Sequence, residues 1–311
     1  MAAFGTASAQ SAVTISGNIA GQQNKTGTDR AVISMAVADL TFRATEDLGG
    51  GLKATGFFTI ENMNTRGRTA TRTSSGVDAG GAGTSASTDS FNTNGPTNAD
   101  SGLSLAGNFG SIAFSNTRST NLAANANVFG TSITNGFYET VDSRPNIQAI
   151  SYTSPALVPG LNVSLAQVNV GDAASSQVGK ISVIGASYAN GPFSLGAQQK
   201  NYNASATASG ASNKRSEGFA KYNLGVAVIG LGFGSKITTT GKAMTSYGLS
   251  VPMGNITFGY EGAVRDAAKF NNYGVRYDFS KRTTVHLSAG QYQTTATNSL
   301  NQSRIRLSHT F

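Results

Sequence analysis

The chain has no cysteine, which removes disulfide frameworks, thiolate nucleophiles and every cysteine-ligated metal site. Histidine is nearly as scarce: His286 and His309 have no third ligand to join them, so no metal and no cofactor is expected. Charge is sparse as well, with Asp, Glu, Lys and Arg making up 12% of the 311 residues, about half the share of an ordinary soluble domain. Long apolar runs are missing too. No window of about 20 residues is predominantly apolar, and Leu224 to Phe233 (LGVAVIGLGF) is too short and too rich in glycine to span as a helix. A typical soluble enzyme and a helical membrane protein are both set aside. In a bilayer the other spanning solution is a closed β-barrel, because every backbone N–H and C=O must find a partner within the protein.

What the chain does contain is alternation. From Leu52 to Glu61 (LKATGFFTIE), Leu52, Ala54, Gly56, Phe58 and Ile60 fall on one face, and Lys53, Thr55, Thr59 and Glu61 on the other. The pattern recurs at Leu40, Phe42 and Ala44 against Thr41, Arg43 and Thr45, at Leu161-Val163-Leu165, at Ile256-Phe258-Tyr260 and at Tyr273-Val275-Tyr277-Phe279. It ends with Ile305, Leu307, His309 and Phe311 against Arg304, Arg306 and Thr310. Sixteen such segments can be counted, starting with Val13 to Ala20, at about 19 residues per strand and connection. Turn residues mark short connections at Glu46–Gly51, Gly107–Gly110, Asn190–Pro192, Pro252–Asn255 and Ser280–Arg282. Longer polar stretches, Asn64–Asp100 and Asn116–Pro145, with shorter ones near Asn203–Ser216 and Thr294–Asn301, read as loops at the opposite end. The expected fold is all-β: a transmembrane antiparallel β-barrel of 16 strands with long extracellular loops. A soluble β-sandwich or a solenoid would share the alternation. A solenoid needs a fixed repeat that is absent, and the small and aliphatic outer-face residues, with Phe and Tyr toward strand ends, suit lipid and its interfaces.

The N-terminus reads MAAFGTASAQ, and Ala7-Ser8-Ala9 before Gln10 has the small-x-small form of a signal-peptidase site. Residues 1–9 are therefore expected to be a signal-peptide remnant, and residues 10–311 a single barrel domain. Basic residues outnumber acidic ones, 23 to 15, for a net charge of +8, so an enclosed polar face would attract anions. The basic residues are scattered singly with no cluster or stacking aromatic motif, which argues against nucleic acid. Gly230-Leu231-Gly232-Phe233-Gly234 lacks the spacing and following helix of a phosphate loop and is read as small lipid-facing or trimer-facing strand residues. Glu46-Asp47 opens a turn with its carboxylates pointing apart, so no acid–base pair and no catalytic residue is expected.

Asp39 to Ala54 (DLTFRATEDLGGGLKA) resembles the second and third strands of betaproteobacterial general porins, the anion-selective type of Gram-negative outer-membrane porin. Asn146 to Val163 (NIQAISYTSPALVPGLNV) is similar to the strand, Ser-Pro turn and strand after the constriction loop, and Tyr273 to Thr284 (YGVRYDFSKRTT) to the penultimate turn. The resemblance implies a homotrimer in the bacterial outer membrane, in contact with lipid and lipopolysaccharide. It further implies a water-filled pore narrowed by an inward-folded third loop, here about residues 116–145. The terminal Phe311 resembles the signal read by the barrel assembly machinery.

The resemblance also implies the constriction. Arg43 matches the basic residue of the second strand, and Arg144 the basic residue at the foot of the loop. Where the family has an arginine in a Gly-Arg-Gln context, this chain has Phe114-Ser115-Asn116-Thr117, with Arg118 two residues beyond. Glu139 and Asp142 are the loop carboxylates that would oppose the basic wall. From alternation alone, Lys53, Lys200, Lys221, Arg265, Arg276, Arg304 and Arg306 belong to the polar, lumen face, against fewer acids such as Glu61, Glu261 and Asp278. A basic lumen selecting small anionic solutes is the expected function. A surface interaction or structural protein acting through long loops on the same barrel is the alternative, and conductance separates the two.

Overall fold

A computed structural model describes residues 11–61, 63, 72–73, 88–89, 97–130, 136–142, 144–170, 179–203 and 212–311. Its sixteen barrel strands, in chain order, are β1 (Ser11–Thr26), β2 (Val32–Gly49), β3 (Leu52–Glu61), β4 (Thr97–Gly107), β5 (Gly110–Arg118), β6 (Asn146–Thr153), β7 (Leu161–Val170) and β8 (Gly179–Asn190). They continue as β9 (Phe193–Tyr202), β10 (Lys214–Asn223), β11 (Val228–Gly234), β12 (Met244–Met253), β13 (Ile256–Arg265), β14 (Ala268–Asp278), β15 (Thr283–Thr295) and β16 (Asn298–Thr310). Each strand pairs antiparallel with its chain neighbours, and β1 pairs with β16, closing the sheet. A further pair of two-residue strands, Arg72–Thr73 and Thr88–Asp89, lies outside this sheet. The alternation predicts this architecture because only a closed sheet leaves no edge for lipid to meet. The expected remnant at residues 1–9 lies outside the described residues.

Closure is made at the C-terminus. Gly17 N donates to the Phe311 carbonyl and Phe311 N to the Gly17 carbonyl, both at 3.1 Å. A side chain at position 17 would come within 2.8 Å of both the Phe311 ring and the Asp39 carbonyl oxygen, so the seam requires glycine there.

The strand faces follow the sequence periods. Ile229, Leu231 and Phe233 of β11, Ile256, Phe258 and Tyr260 of β13, and Ile305 and Leu307 of β16 are exposed on the outer face. Their neighbours Glu217, Ser246, Thr257, Glu261, Arg265 and Asn272 are buried on the inner one. The five connections expected to be short turns lie at one end with the start of β1 and the end of β16, and the Glu46–Gly51 turn is made by Gly49, Gly50 and Gly51 at φ 80°, 61° and 82°.

Four loop boundaries differ from expectation: β4 begins at Thr97, inside the stretch Asn64–Asp100, and β10 at Lys214, inside Asn203–Ser216. The third loop runs over 119–145, because β5 carries on to Arg118. The stretch Thr294–Asn301 is not a loop: β15 and β16 run to Thr295 and from Asn298, leaving a two-residue turn. These strand ends are polar on both faces, so they carry no alternation, yet they still pair in register, as at Gln293 with Ser299.

The buried apolar core is inside the barrel. Ala123, Phe137 and Val141 of the third loop pack with Met244, Ala263 and Phe270 of the wall, and Tyr138 and Tyr292 lie against them. The inward loop that the resemblance implies is thus held by hydrophobic contact, through a 3-10 turn (Leu122–Ala126) and a short helix (Phe137–Thr140).

Candidate pore constriction

The wall accommodates the loop by giving up side chains. Gly230, Gly232 and Gly248 lie directly under the 3-10 turn: a Cβ at 248 would come within 2.8 Å of Val128 N and closer still to the Ala126 carbonyl, and one at 232 would lie 2.9 Å from the Ala123 Cα. A Cβ on Gly259 would sit inside the Phe129 ring. The expected lipid-facing or trimer-facing role for the Gly230–Gly234 glycines is therefore corrected. They face inward, because Ile229, Leu231 and Phe233 occupy the outer positions and a backbone passes at contact distance.

Polar anchors complete the seat. Glu217, 5% exposed, accepts from Gln198 Nε2 at 2.7 Å, Lys200 Nζ at 2.8 Å and the loop's Leu122 N at 3.2 Å. Lys200 Nζ also donates to the Thr120 carbonyl at 2.8 Å. Glu261, 1% exposed, accepts from Asn272 Nδ2 and from the loop's Gly130 N at 3.3 Å. Ser246 donates to the Ala123 carbonyl. From the loop side, Asp142 accepts from Asn121 and pairs with Arg265 at 3.4 Å. Unpaired N–H groups in such a place are costly, which is why two wall carboxylates end on loop amides.

The basic residues divide into paired and unpaired. Lys200 pairs with Glu217, Arg265 with Asp142, and Arg276 with Asp278 at 2.9 Å. Arg118 pairs with Glu61 at 2.9 Å; it shares the parity of the outward Ile112 and Phe114 and reaches Glu61 from the strand end.

Arg43 and Arg144 are exposed and form no ion pair among the described residues. The Arg43 guanidinium lies 4.9 Å from the Phe57 ring centre, and that of Arg144 lies 4.6 Å from the Tyr138 ring, with Nε donating to the Ser119 carbonyl at 3.3 Å. Stacking on a ring fixes a guanidinium without neutralising it. Lys53 is exposed near the short-turn end, Lys221 lies 5.2 Å from the Phe219 ring, and Arg304 and Arg306 follow one another on the inner face of β16. Glu139 belongs to the Phe137–Thr140 helix, and its side chain is outside the described residues.

Arg43 on β2 stands eight strands from β10, across the ring from the wall where the loop sits. Burial pushes the Tyr138 phenol up from its ordinary value, against the opposing pull of the Asn121 N–H and Arg144. Alternation could have shown Phe57 on the polar face, the one aromatic between Thr55 and Thr59; nothing local signals Glu217 or Glu261 as loop anchors.

A closed sixteen-stranded antiparallel barrel with a loop folded into its lumen defines an outer-membrane channel. The chain belongs to the Gram-negative porin family, whose model matches residues 1–297. Among solved structures, a triple mutant of the Rhodopseudomonas blastica porin matches at TM-score 0.67 and 14% identity, covering 96% of this chain and 100% of that one. OmpT, an outer membrane protein of Vibrio cholerae solved with its loop L8 deleted, matches at TM-score 0.67 and 13% identity, covering 97% and 99%. A comparison with curated protein sequences found no match. The protein is a porin of the bacterial outer membrane.

Proposed function

We propose that this porin is an open diffusion channel for small hydrophilic solutes that prefers anions, with Arg43 and Arg144 as the charges that select. The observation that carries the reading is the pairing pattern: Lys200, Arg265 and Arg276 each sit beside a carboxylate, whereas Arg43 and Arg144 are exposed and held by aromatic rings. A neutral pair has little field beyond its own length, so the net positive potential of the lumen rests on the unpaired cations. One cation at ~4 Å in a water-like medium attracts an anion by about 1 kcal/mol, and salt screens it over about 8 Å at physiological strength. Two such charges favour anions by about 25-fold before screening.

Phe311, the assembly signal that the family resemblance implies, is bonded to Gly17 at the seam of the sheet. The homotrimer, the lipopolysaccharide contacts and the signal remnant at residues 1–9 are carried by the family resemblance and the sequence.

The test is the reversal potential of the purified protein in a planar bilayer under a salt gradient, with single-channel steps recorded alongside. Stepwise conductance with anion preference, falling about fivefold in Arg43→Ala or Arg144→Ala, supports the reading. Cation preference would leave the pore and remove the charge argument. A folded barrel that passes no ions would favour a surface protein acting through its loops.

A further inference from the structure

We propose that the lumen holds a binding subsite for organic anions with an apolar body, on the arc of wall from β6 to β10 beside the inward loop. The proposal rests on the channel reading and names a solute class within it. A water-filled barrel should be polar inside, and most of this one is. Three adjacent strands break the rule: Ile147 of β6, Val168 of β7 and Ile181 and Val183 of β8 all line one inner cavity of about 410 Å³. Val168 and Ile181 are directly cross-strand and each 7% exposed, and Ala149 and Tyr202 flank them in register. The cavity is of the size that takes small organic ligands.

The adjoining strands β9 and β10 carry the charge, with Lys200 cross-strand to Val183 and Arg215 cross-strand to Lys200. Lys200, already bonded to Glu217 and to the Thr120 carbonyl, adds no net charge to the cavity. Arg215 differs. Its guanidinium lies 4.4 Å from the Tyr202 ring centre and donates to the Tyr202 hydroxyl at 3.4 Å, yet it forms no ion pair among the described residues, and its buried Nε has no partner. Asp142, which also lines the cavity, is taken up by Arg265 at 3.4 Å, so the cavity sets one uncompensated cation, Arg215, beside a hydrocarbon wall. Chloride or phosphate would gain from the cation alone, and a neutral hydrocarbon from the wall alone. A carboxylate with an alkyl or aryl body gains from both, so it pauses in the lumen where an inorganic anion passes.

The experiment is a homologous series of acetate, butyrate and hexanoate, read as block of single-channel current in potassium chloride and, separately, as calorimetric binding to the detergent-folded protein. From acetate to hexanoate the half-saturating concentration is expected to fall about fifteenfold, four added methylenes each entering the wall by about half. The double variant Val168→Thr with Ile181→Thr flattens the series while keeping the chloride conductance. Arg215→Gln weakens every member about fivefold and keeps the slope. A flat wild-type series overturns the subsite whatever the variants do, and so does an unchanged slope in the threonine pair. Chain-length-dependent binding without any conductance would support the subsite and defeat the channel reading; conductance with no chain-length dependence does the reverse.

Discussion

Glu217→Ala asks whether the wall holds the loop. The carboxylate is 5% exposed and has three donors, one of which is the backbone amide of Leu122, 95 residues away. Its removal strands Lys200, whose side chain is 14% exposed, together with the Gln198 amide and the Leu122 N–H. Breaking one side of a buried pair costs about 3–5 kcal/mol, and the neighbouring aqueous lumen puts this one at the lower end. About 3 kcal/mol raises the detached-loop population about 160-fold. Glu61→Ala supplies the control: its pair with Arg118 has side chains 20% and 46% exposed, so its loss is worth at most about 1 kcal/mol, or about fivefold. Chymotrypsin reads the difference, since Phe129 and Phe137 are 1% and 6% exposed while the loop is seated. Cleavage follows the open population when reseating outpaces cutting. If loop cleavage in Glu217→Ala rises no more than in Glu61→Ala, the anchoring argument is wrong.

Gly248→Ala forces the 3-10 turn back by at least ~0.6 Å to reach an ordinary 3.4 Å contact with Val128 N, so chymotryptic cleavage at Phe129 should rise while the barrel stays folded by circular dichroism. Gly17→Val crowds both the Phe311 ring and the Asp39 carbonyl, and should lower the yield of folded barrel in a lipid-vesicle assembly assay by severalfold; equal yield would remove the seam from the argument. Tyr138 is raised by burial, so the seated loop holds its proton more tightly than the detached one. Its contribution is intact below pH 10.0 and declines as pH climbs through the raised value, and Tyr138→Phe should remove that part of the alkaline rise in loop cleavage.

The strands were legible because lipid outside and water inside impose a period of two on every crossing, and the sixteen segments counted from that period are the sixteen strands. The polar ends of β15 and β16 were not, since both of their faces meet water. Pairing across the lumen has no local signal: nothing near Arg265 announces Asp142, 123 residues earlier, and nothing near Lys200 announces Thr120. Some of the close approaches do have a local signal. Three glycines alternating with Ile229, Leu231 and Phe233 occupy the positions where polar residues belong, which is the mark of a backbone in close approach. Ile147 and Ala149 carry no such mark, because Ile150 and Tyr152 make the other face of β6 apolar as well.

The pairing pattern separates two tasks that composition merges. The excess of basic over acidic residues suggests a uniformly positive lumen, but five of the described acids, Glu61, Asp142, Glu217, Glu261 and Asp278, are engaged by arginines, amides or loop backbone. Asp142 in particular is turned to Arg265 and Asn121, on the wall that carries the loop. Those charges set where the loop lies. On the proposed reading, the field that a passing ion meets comes instead from cations whose partners are rings: Arg43 on Phe57, Arg144 on Tyr138 and Arg215 on Tyr202. Neutralising Lys200 and Glu217 together should therefore loosen the loop and leave selectivity nearly unchanged, because the net charge is the same before and after. Neutralising Arg43 should do the opposite. A selectivity shift in the Lys200→Gln, Glu217→Gln double variant as large as in Arg43→Gln would mean that pairing does not separate the two roles.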